Sequence, residues 1–260
     1  MRISIASYAF HGLHRAGMMD LFGYLETCKY RYGLDTADIW NGMLASTDEE
    51  YLRKVREALD ERELTLTNLC VDGAHLWEPE EAARERNRAN ALAHLRAAEI
   101  LGARTVRIDA GGREDTFDDG QFDYVAATYR QYAQRAYDGG YRIGPENHWG
   151  PERVPANMLR IIEAVDSPAF GVLLHYGNWR GDDADRGDAL VAPHAMHTHL
   201  SWQVTEGNLE ERMQLLADAG YQGYWGVEHH TGANEYTEVA LQVGRVRDVL
   251  DRWRQRRAMH

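Results

Sequence analysis

The sequence predicts one (β/α)8 TIM barrel that spans residues 1–260 as a single domain. Strand-like runs alternate with helix-like runs about eight times along the chain, and several helix-like runs end at glycine before the next strand. The length of 260 residues, with no Pro-rich or Ser-rich linker, suits one such barrel. An open doubly wound sheet is the alternative, which the absence of a GxGxxG turn after the first strand disfavours.

Each unit of the barrel is predicted from an apolar run followed by an amphipathic one. The predicted strands are 3–7, 37–40, 64–70, 105–109, 141–145, 171–175, 195–200 and 224–228. The predicted helices are 48–61, 79–101, 122–137, 156–164, 208–219 and 237–256. The glycines at 102, 139–140 and 220 are typical of left-handed helix C-caps. The sixth unit is the weakest, because 175–194 is mostly a polar loop.

Composition excludes several classes of partner. The chain has 41 acidic against 29 basic residues and a formal charge of -12, so we expect no binding to nucleic acid. No apolar run is long enough for a signal peptide or a membrane span, so no membrane association is expected. Cys28 and Cys70 lack metal-ligand spacing, which favours a reducing, cytoplasmic location.

Two types of covalent catalysis are also disfavoured. The two lysines, Lys29 and Lys54, both fall in predicted helices, so neither can form a Schiff base at a strand end. No GxSxG nucleophile elbow occurs.

Histidine and tryptophan cluster where predicted strands end, in the face where barrel enzymes place their active site. The richest segments are PENHW (145–149), LLHYGNW (173–179), MHTHLSW (196–202) and WGVEHH (225–230). The histidines are His75, His148, His175, His197, His199, His229 and His230, and the tryptophans are Trp40, Trp77, Trp149, Trp179 and Trp202. Indole faces pack well against sugars, so a carbohydrate pocket is predicted, although these rings could instead seal the barrel core.

Strand geometry predicts a metal site in the same place. Residues two apart in a strand share a face, which pairs Glu146 with His148, His197 with His199, and Glu228 with His230. Inward-facing Glu146, His175, His199 and Glu228 would offer two carboxylates and two imidazoles. This mixed set suits one divalent ion such as Mn²⁺, Co²⁺ or Zn²⁺. The alternative is a set of hydrogen-bonded polar residues in a wet cleft.

These motifs give the chain a resemblance to the xylose isomerase-like barrel superfamily of sugar isomerases and epimerases. The marks are ENH after strand five, YGN after strand six, HxHL after strand seven and VE after strand eight. The resemblance implies that Glu146, His175, His199 and Glu228 bind the metal. His175 stands where the family usually has Asp, which favours softer ions over Mg²⁺.

The resemblance also implies a reaction in which Glu146 and Glu228 act as base and acid around a metal-stabilised enediolate. The candidate substrate-binding residues are Trp40, His75, Arg107, His148, Trp149, Asn178, His197 and His230. Arg107 and Asp109 share a strand face, so a structural salt bridge is the alternative for both.

Three functions remain open. The first is isomerisation or epimerisation of an unphosphorylated ketose, since the loops 200–211 and 228–236 contain no Arg or Lys to bind phosphate, although Arg113, Arg153 or Arg180 could do so from other loops. The second is a metal-dependent lyase or dehydratase acting on a keto-sugar or keto-inositol. The third is a non-catalytic sugar-binding barrel with a degenerate metal site. The superfamily's endonuclease branch is disfavoured by the acidic charge. The resemblance also allows a homo-oligomer.

Overall fold

A computed structural model describes residues 2–258, in which eight parallel strands form a barrel. The strands are β1 Ile3–Ile5, β2 Thr36–Trp40, β3 Thr65–Cys70, β4 Thr105–Arg107, β5 Arg142–Gly144, β6 Val172–His175, β7 Ala195–Leu200 and β8 Trp225–Val227. They pair as two four-stranded sheets, in the orders β1-β8-β7-β6 and β2-β3-β4-β5. The barrel is therefore two half-barrels that meet at two seams.

The β5/β6 seam is closed by isolated backbone bridges. Ile143 pairs with Phe170, and Glu146 pairs with Leu173. At the same seam a Cβ on Gly144 would lie 1.7 Å from the carbonyl oxygen of Gly171, so only glycine allows this approach.

The β1/β2 seam is closed largely by side-chain hydroxyls. One bridge joins Ala6 to Asp38. Beside it the buried Tyr24 hydroxyl accepts from the amide of Asp38 at 2.8 Å and donates to the carbonyl of Ile5 at 2.5 Å. Ser7 Oγ accepts from the amide of Trp40 at 2.8 Å, and Thr36 Oγ1 donates to the carbonyl of Ile3. These hydroxyls replace the backbone hydrogen bonds that a continuous pair of strands would form. A backbone group buried without a partner is costly.

Helices surround the strands because each presents one apolar face to the barrel. The helices are α1 His11–Arg15, α2 Leu21–Glu26, α3 Glu49–Glu61, α4 Glu81–Leu101, α5 Asp119–Gly139, α6 Pro155–Val165, α7 Gly187–Val191, α8 Trp202–Glu206, α9 Leu209–Asp218 and α10 Glu235–Ala258. In α3, Leu52, Val55 and Leu59 are fully buried, while Glu49 and Arg53 pair on the outer face. The spacing of three and four residues sets this division.

The fold class predicted from the sequence is confirmed, and each predicted strand overlaps an observed one. Gly102 and Gly140 are left-handed C-caps of α4 and α5, as expected. The sixth unit contains only the short α7 and two 3-10 turns, Ala184–Arg186 and Ala192–His194, which also agrees. The helices α1, α2 and α8 were not predicted. None of the helices within residues 2–258 combines the length and the apolar composition that a membrane span requires.

We predict that Tyr24→Phe lowers the free energy of unfolding by about 1–3 kcal/mol, because the buried amide of Asp38 loses its acceptor. Urea denaturation would measure this change, with Tyr30→Phe as the control because Tyr30 is exposed. Equal stability of the two variants would contradict the hydroxyl's role in the seam.

Candidate functional site

A cavity of about 330 Å³ opens at the carboxyl ends of the strands. Among the residues predicted from sequence, those that line it are Trp40, Arg107, Glu146, His148, His175, Asn178, His199, Glu228 and His230. These come from β2, β4, β5, β6, β7 and β8 or the loops after them. The parallel strands therefore bring side chains far apart in sequence to one mouth.

Glu146, His199 and Glu228 form a compact group at the bottom of this cavity. Each offers one ligand atom, the three atoms lie within 4.8 Å of one another, and all three residues are buried. His199 Nδ1 lies 3.5 Å from Glu228 Oε2, and within the described chain it forms no hydrogen bond. A buried polar nitrogen without a partner is costly. A divalent ion bound by His199 Nδ1 and the two carboxylates would remove that cost, so the donor set fits a metal.

His175 lies beside this group. Its Nδ1 is 3.0 Å from Glu146 Oε1 and 3.8 Å from Glu228 Oε2. Its ring stacks on that of His230, with centroids 5.9 Å apart. A hydrogen bond to Glu146 already engages the ring nitrogen that faces the carboxylates. The role of His175 as a fourth metal ligand stays a prediction.

Asn147 fixes the backbone that carries His175. Its side chain accepts from the amide of His175 at 2.7 Å and donates to the carbonyl of His175 at 2.8 Å. Asn178 in turn donates to the carbonyl of Asn147 at 3.0 Å. The strand ends that bear Glu146 and His175 are thereby held together across the β5/β6 seam.

Asp38 orients the histidines of β7 from the centre of the barrel. Its Oδ2 lies 2.7 Å from His197 Nε2 and 3.1 Å from His199 Nε2, and its Oδ1 accepts from Asn68 Nδ2 at 3.0 Å. An ionised carboxylate only accepts hydrogen bonds, so both Nε2 atoms carry protons. His199 Nδ1 is consequently the atom left to bind an ion.

Arg107 neutralises a second cluster of carboxylates. Its Nη1 lies 2.9 Å from Asp72 Oδ1 and 3.1 Å from Asp109 Oδ2, and its Nε lies 3.3 Å from Glu146 Oε2. Asp109 also accepts from the amide of Glu146 at 3.0 Å. The salt bridge between Arg107 and Asp109 that was the alternative interpretation is therefore present, and it positions Glu146.

Paired charges keep both glutamates ionised. Burial would raise the pKa of Glu146, but His148, His175 and Arg107 hold it well below its ordinary value. Burial likewise opposes the charge on Glu228, yet His199 and His230 lower its pKa to about 2. Each carboxylate is thus available to accept a proton at neutral pH.

The pKa of His199 is shifted in the opposite direction. Burial disfavours its charged form, but Glu228 and Asp38 raise its pKa to about 9. An ion that bound Nδ1 would therefore have to displace a proton from this ring.

Three of the predicted substrate-binding residues do not line the cavity. His75 and Trp149 lie together at the rim, with ring centroids 5.2 Å apart. His197 lies below the site, 1 % exposed and bonded to Asp38. Their contact with substrate stays a prediction.

Of the five tryptophans that suggested a sugar platform, Trp40 lines the cavity. Trp179 is buried and donates to Asp188 at 2.7 Å, so its ring belongs to the core, as the alternative interpretation held.

Asp38, Asp72, Cys70 and Tyr8 also line the cavity and were not predicted as site residues. Asp38 had a signal in the sequence, because it is an acidic residue two positions before Trp40 in an apolar strand and so shares its face. Cys70 is buried, and burial raises the pKa of its thiol well above the ordinary value.

The chain matches the family described as xylose isomerase-like TIM barrel over residues 30–250. Among curated protein sequences, none matches significantly. Similar solved structures share the fold at low sequence identity. A probable 3-DHS dehydratase of petrobactin synthesis from Bacillus anthracis is 14 % identical, with a TM-score of 0.74, over 95 % of this chain and 99 % of that one.

Two further structures are 17 % identical, with TM-scores of 0.74. One is a 3-keto-D-glucoside 4-epimerase from E. coli, matched over 95 % of this chain and 99 % of that one. The other is a xylose isomerase-like TIM barrel protein from Mycobacterium smegmatis in complex with magnesium, matched over 96 % of both chains.

We predict that Arg107→Met destabilises the fold by about 3–5 kcal/mol, since it removes the guanidinium that pairs with the buried carboxylates of Asp109 and Glu146. Thermal unfolding would measure the loss. The control is Arg53→Met, which removes an exposed arginine and should leave the melting temperature nearly unchanged. If both variants melt alike, the buried cluster does not depend on Arg107.

Proposed function

Because the chain belongs to the xylose isomerase-like TIM barrel family, we propose that it is a metal-dependent isomerase or epimerase of an unphosphorylated ketose or a related sugar. One observation carries the proposal. Two buried, ionised glutamates, Glu146 and Glu228, flank Nδ1 of His199 in one cavity. Proton transfer next to a carbonyl needs such a pair, one group to take the proton and one to return it.

The substrate class follows from the size and charge of the cavity. A volume of about 330 Å³ suits a molecule of the size of a monosaccharide. Arg107 lines the cavity, but Asp72, Asp109 and Glu146 already neutralise it. Within the described lining no other arginine and no lysine is present to receive a phosphate or a carboxylate. A neutral polyhydroxylated substrate therefore fits best.

Aromatic and amide groups at the mouth suit the two sides of a sugar. The ring of Tyr8 meets Trp40 edge-on, with centroids 5.2 Å apart, and offers apolar surface to C–H groups. Asn178 and His148 also line the cavity and offer polar atoms to hydroxyls.

Glu146, His199 and Glu228 would hold the divalent ion, with His175 as the fourth ligand implied by the family pattern. When bound, the ion supplies positive charge that polarises the substrate carbonyl. The two imidazoles favour Mn²⁺, Co²⁺ or Zn²⁺ over Mg²⁺.

The chain's own groups would carry the proton. One glutamate takes the proton from the carbon beside the carbonyl, and the other, once protonated, returns a proton to a different face or carbon. His230 Nε2 lies 3.2 Å from Glu228 Oε2, and His148 Nδ1 lies 3.3 Å from Glu146 Oε2. These two half-exposed imidazoles connect the buried carboxylates to the mouth, so each can exchange its proton with solvent.

A dehydratase or lyase is the second candidate, favoured by those same imidazoles. The reaction would begin with the same proton removal, after which His230 or His148 would protonate a departing hydroxyl. The resemblance in fold to a probable dehydratase is compatible with this chemistry.

We predict that the purified chain retains about one Mn²⁺, Co²⁺ or Zn²⁺ per molecule after free ion is removed, as measured by elemental mass spectrometry. His199→Ala should lose the ion, and Asp38→Asn should weaken binding about 10–100-fold because Nδ1 is no longer oriented. His194→Ala is the control, since His194 lies at the opposite ends of the strands. Failure of the unaltered chain to retain any ion would indicate a degenerate, binding-only barrel.

We further predict that Glu146→Gln and Glu228→Gln each lower turnover about 10²–10⁴-fold. The assay is incubation of the metal-loaded protein with ketoses in D₂O, followed by NMR. Deuterium beside the carbonyl without loss of water indicates isomerisation or epimerisation, whereas an unsaturated product indicates the lyase. Glu85→Gln, on the exposed face of α4, should leave the rate unchanged. Full activity in both cavity variants would rule out this assignment of acid and base.

A further inference from the structure

A second cavity, of about 390 Å³, opens at the amino-terminal ends of the strands, on the face opposite the candidate site. It is lined by β-strand residues such as Thr105, Arg142 and Ala195, by Arg104, and by the turn at 219–224. The interior of a TIM barrel is usually filled by layers of bulky side chains. A cavity in this position is therefore unusual for the fold.

Small residues of the lining contribute to this space. Ala195 lies two residues before His197 in β7, and both residues line the cavity. The cavity therefore reaches inward as far as His197.

The cavity is cationic although the chain as a whole is acidic. Arg104 and Arg142 line it, and no Asp or Glu is found in the part of its lining that the structure describes. Neither arginine forms an ion pair within residues 2–258. Arg142 Nη2 donates to the carbonyl of Phe170 at 2.9 Å, whereas its Nε is buried without a partner. Burial lowers the pKa of Arg142, and the Tyr221 phenol opposes this shift only in part.

His197 supplies an unsatisfied acceptor at the inner end of the cavity. It is 1 % exposed, its Nε2 proton is committed to Asp38, and its Nδ1 has no hydrogen-bond partner among the described residues. In a neutral imidazole with a proton on Nε2, Nδ1 only accepts. A ligand here would therefore bring negative oxygens for the arginines and a hydroxyl for His197.

We propose that this cavity binds a small oxyanion that carries a hydroxyl, of which hydrogen phosphate is the simplest example. Arg104 at the rim and Arg142 further in donate to its oxygens, and its hydroxyl donates to His197 Nδ1. This site is separate from the candidate active site, so phosphate binding can be tested whether or not the chain turns over a sugar.

The test is a calorimetric titration of the full chain with inorganic phosphate and, separately, with sulfate at pH 8. Both are dianions of similar shape, but only phosphate retains a proton to donate. We expect one saturable phosphate per chain, bound about tenfold more tightly than sulfate. Arg142→Met and Arg104→Gln should each weaken phosphate binding about tenfold or more.

Arg86→Gln is the matched control, because it removes the same charge from an exposed position on α4. Arg104 is also exposed, so its variant remains informative if Arg142→Met does not fold. The proposal is overturned if phosphate does not saturate, or if Arg104→Gln binds it as well as Arg86→Gln does. Equal affinity for sulfate would remove the role of His197.

Discussion

The buried carboxylate of Asp38 is the interaction on which the interior of this barrel depends. It receives hydrogen bonds from Asn68 and from two histidines of β7, while its amide is held by the Tyr24 hydroxyl. Burial would raise the pKa of Asp38, but the contacts of its carboxylate with His197 and His199 hold it below its ordinary value. Asp38 thus contributes to the β1/β2 seam through its backbone, and through its carboxylate it orients His199, the candidate metal ligand, and His197.

Charge is distributed unequally along the barrel axis. The cavity of the candidate site is rich in carboxylates, and the positive charge of Arg107 together with the histidines balances them. In the cavity at the amino-terminal ends of the strands, the described lining contains arginines but no carboxylate. The layer of Asp38 and His197 separates these two environments. Because Arg107 pairs with Asp72, Asp109 and Glu146 at contact distance, much of the negative charge is neutralised locally, and two sites of opposite electrostatic character can coexist in one small fold.

The fold and much of the site were accessible from sequence because both follow from strand periodicity. Glu146, His199 and Glu228 each end an apolar run, and parallel strands bring such ends together. Periodicity does not show which neighbours lie across the barrel, so the link from Asp38 to His197 required three-dimensional structure. The same limit explains why Trp149 was predicted to contact the substrate although it does not line the cavity. Its position after a strand places it at the active-site face of the barrel, but the loop conformation decides where its side chain lies.

The two seams also have a mechanical consequence. Glu146 belongs to the half-barrel of β2 to β5, whereas Glu228 and His199 belong to the half formed by β6, β7, β8 and β1. Few backbone hydrogen bonds cross between these halves, so local opening of the barrel should occur mainly at the seams. A ligand that binds both glutamates therefore connects the two halves across the β5/β6 seam. Occupancy of the site and cohesion of the two halves are therefore thermodynamically linked, and ligand binding should slow amide exchange at the seam far more than within either half.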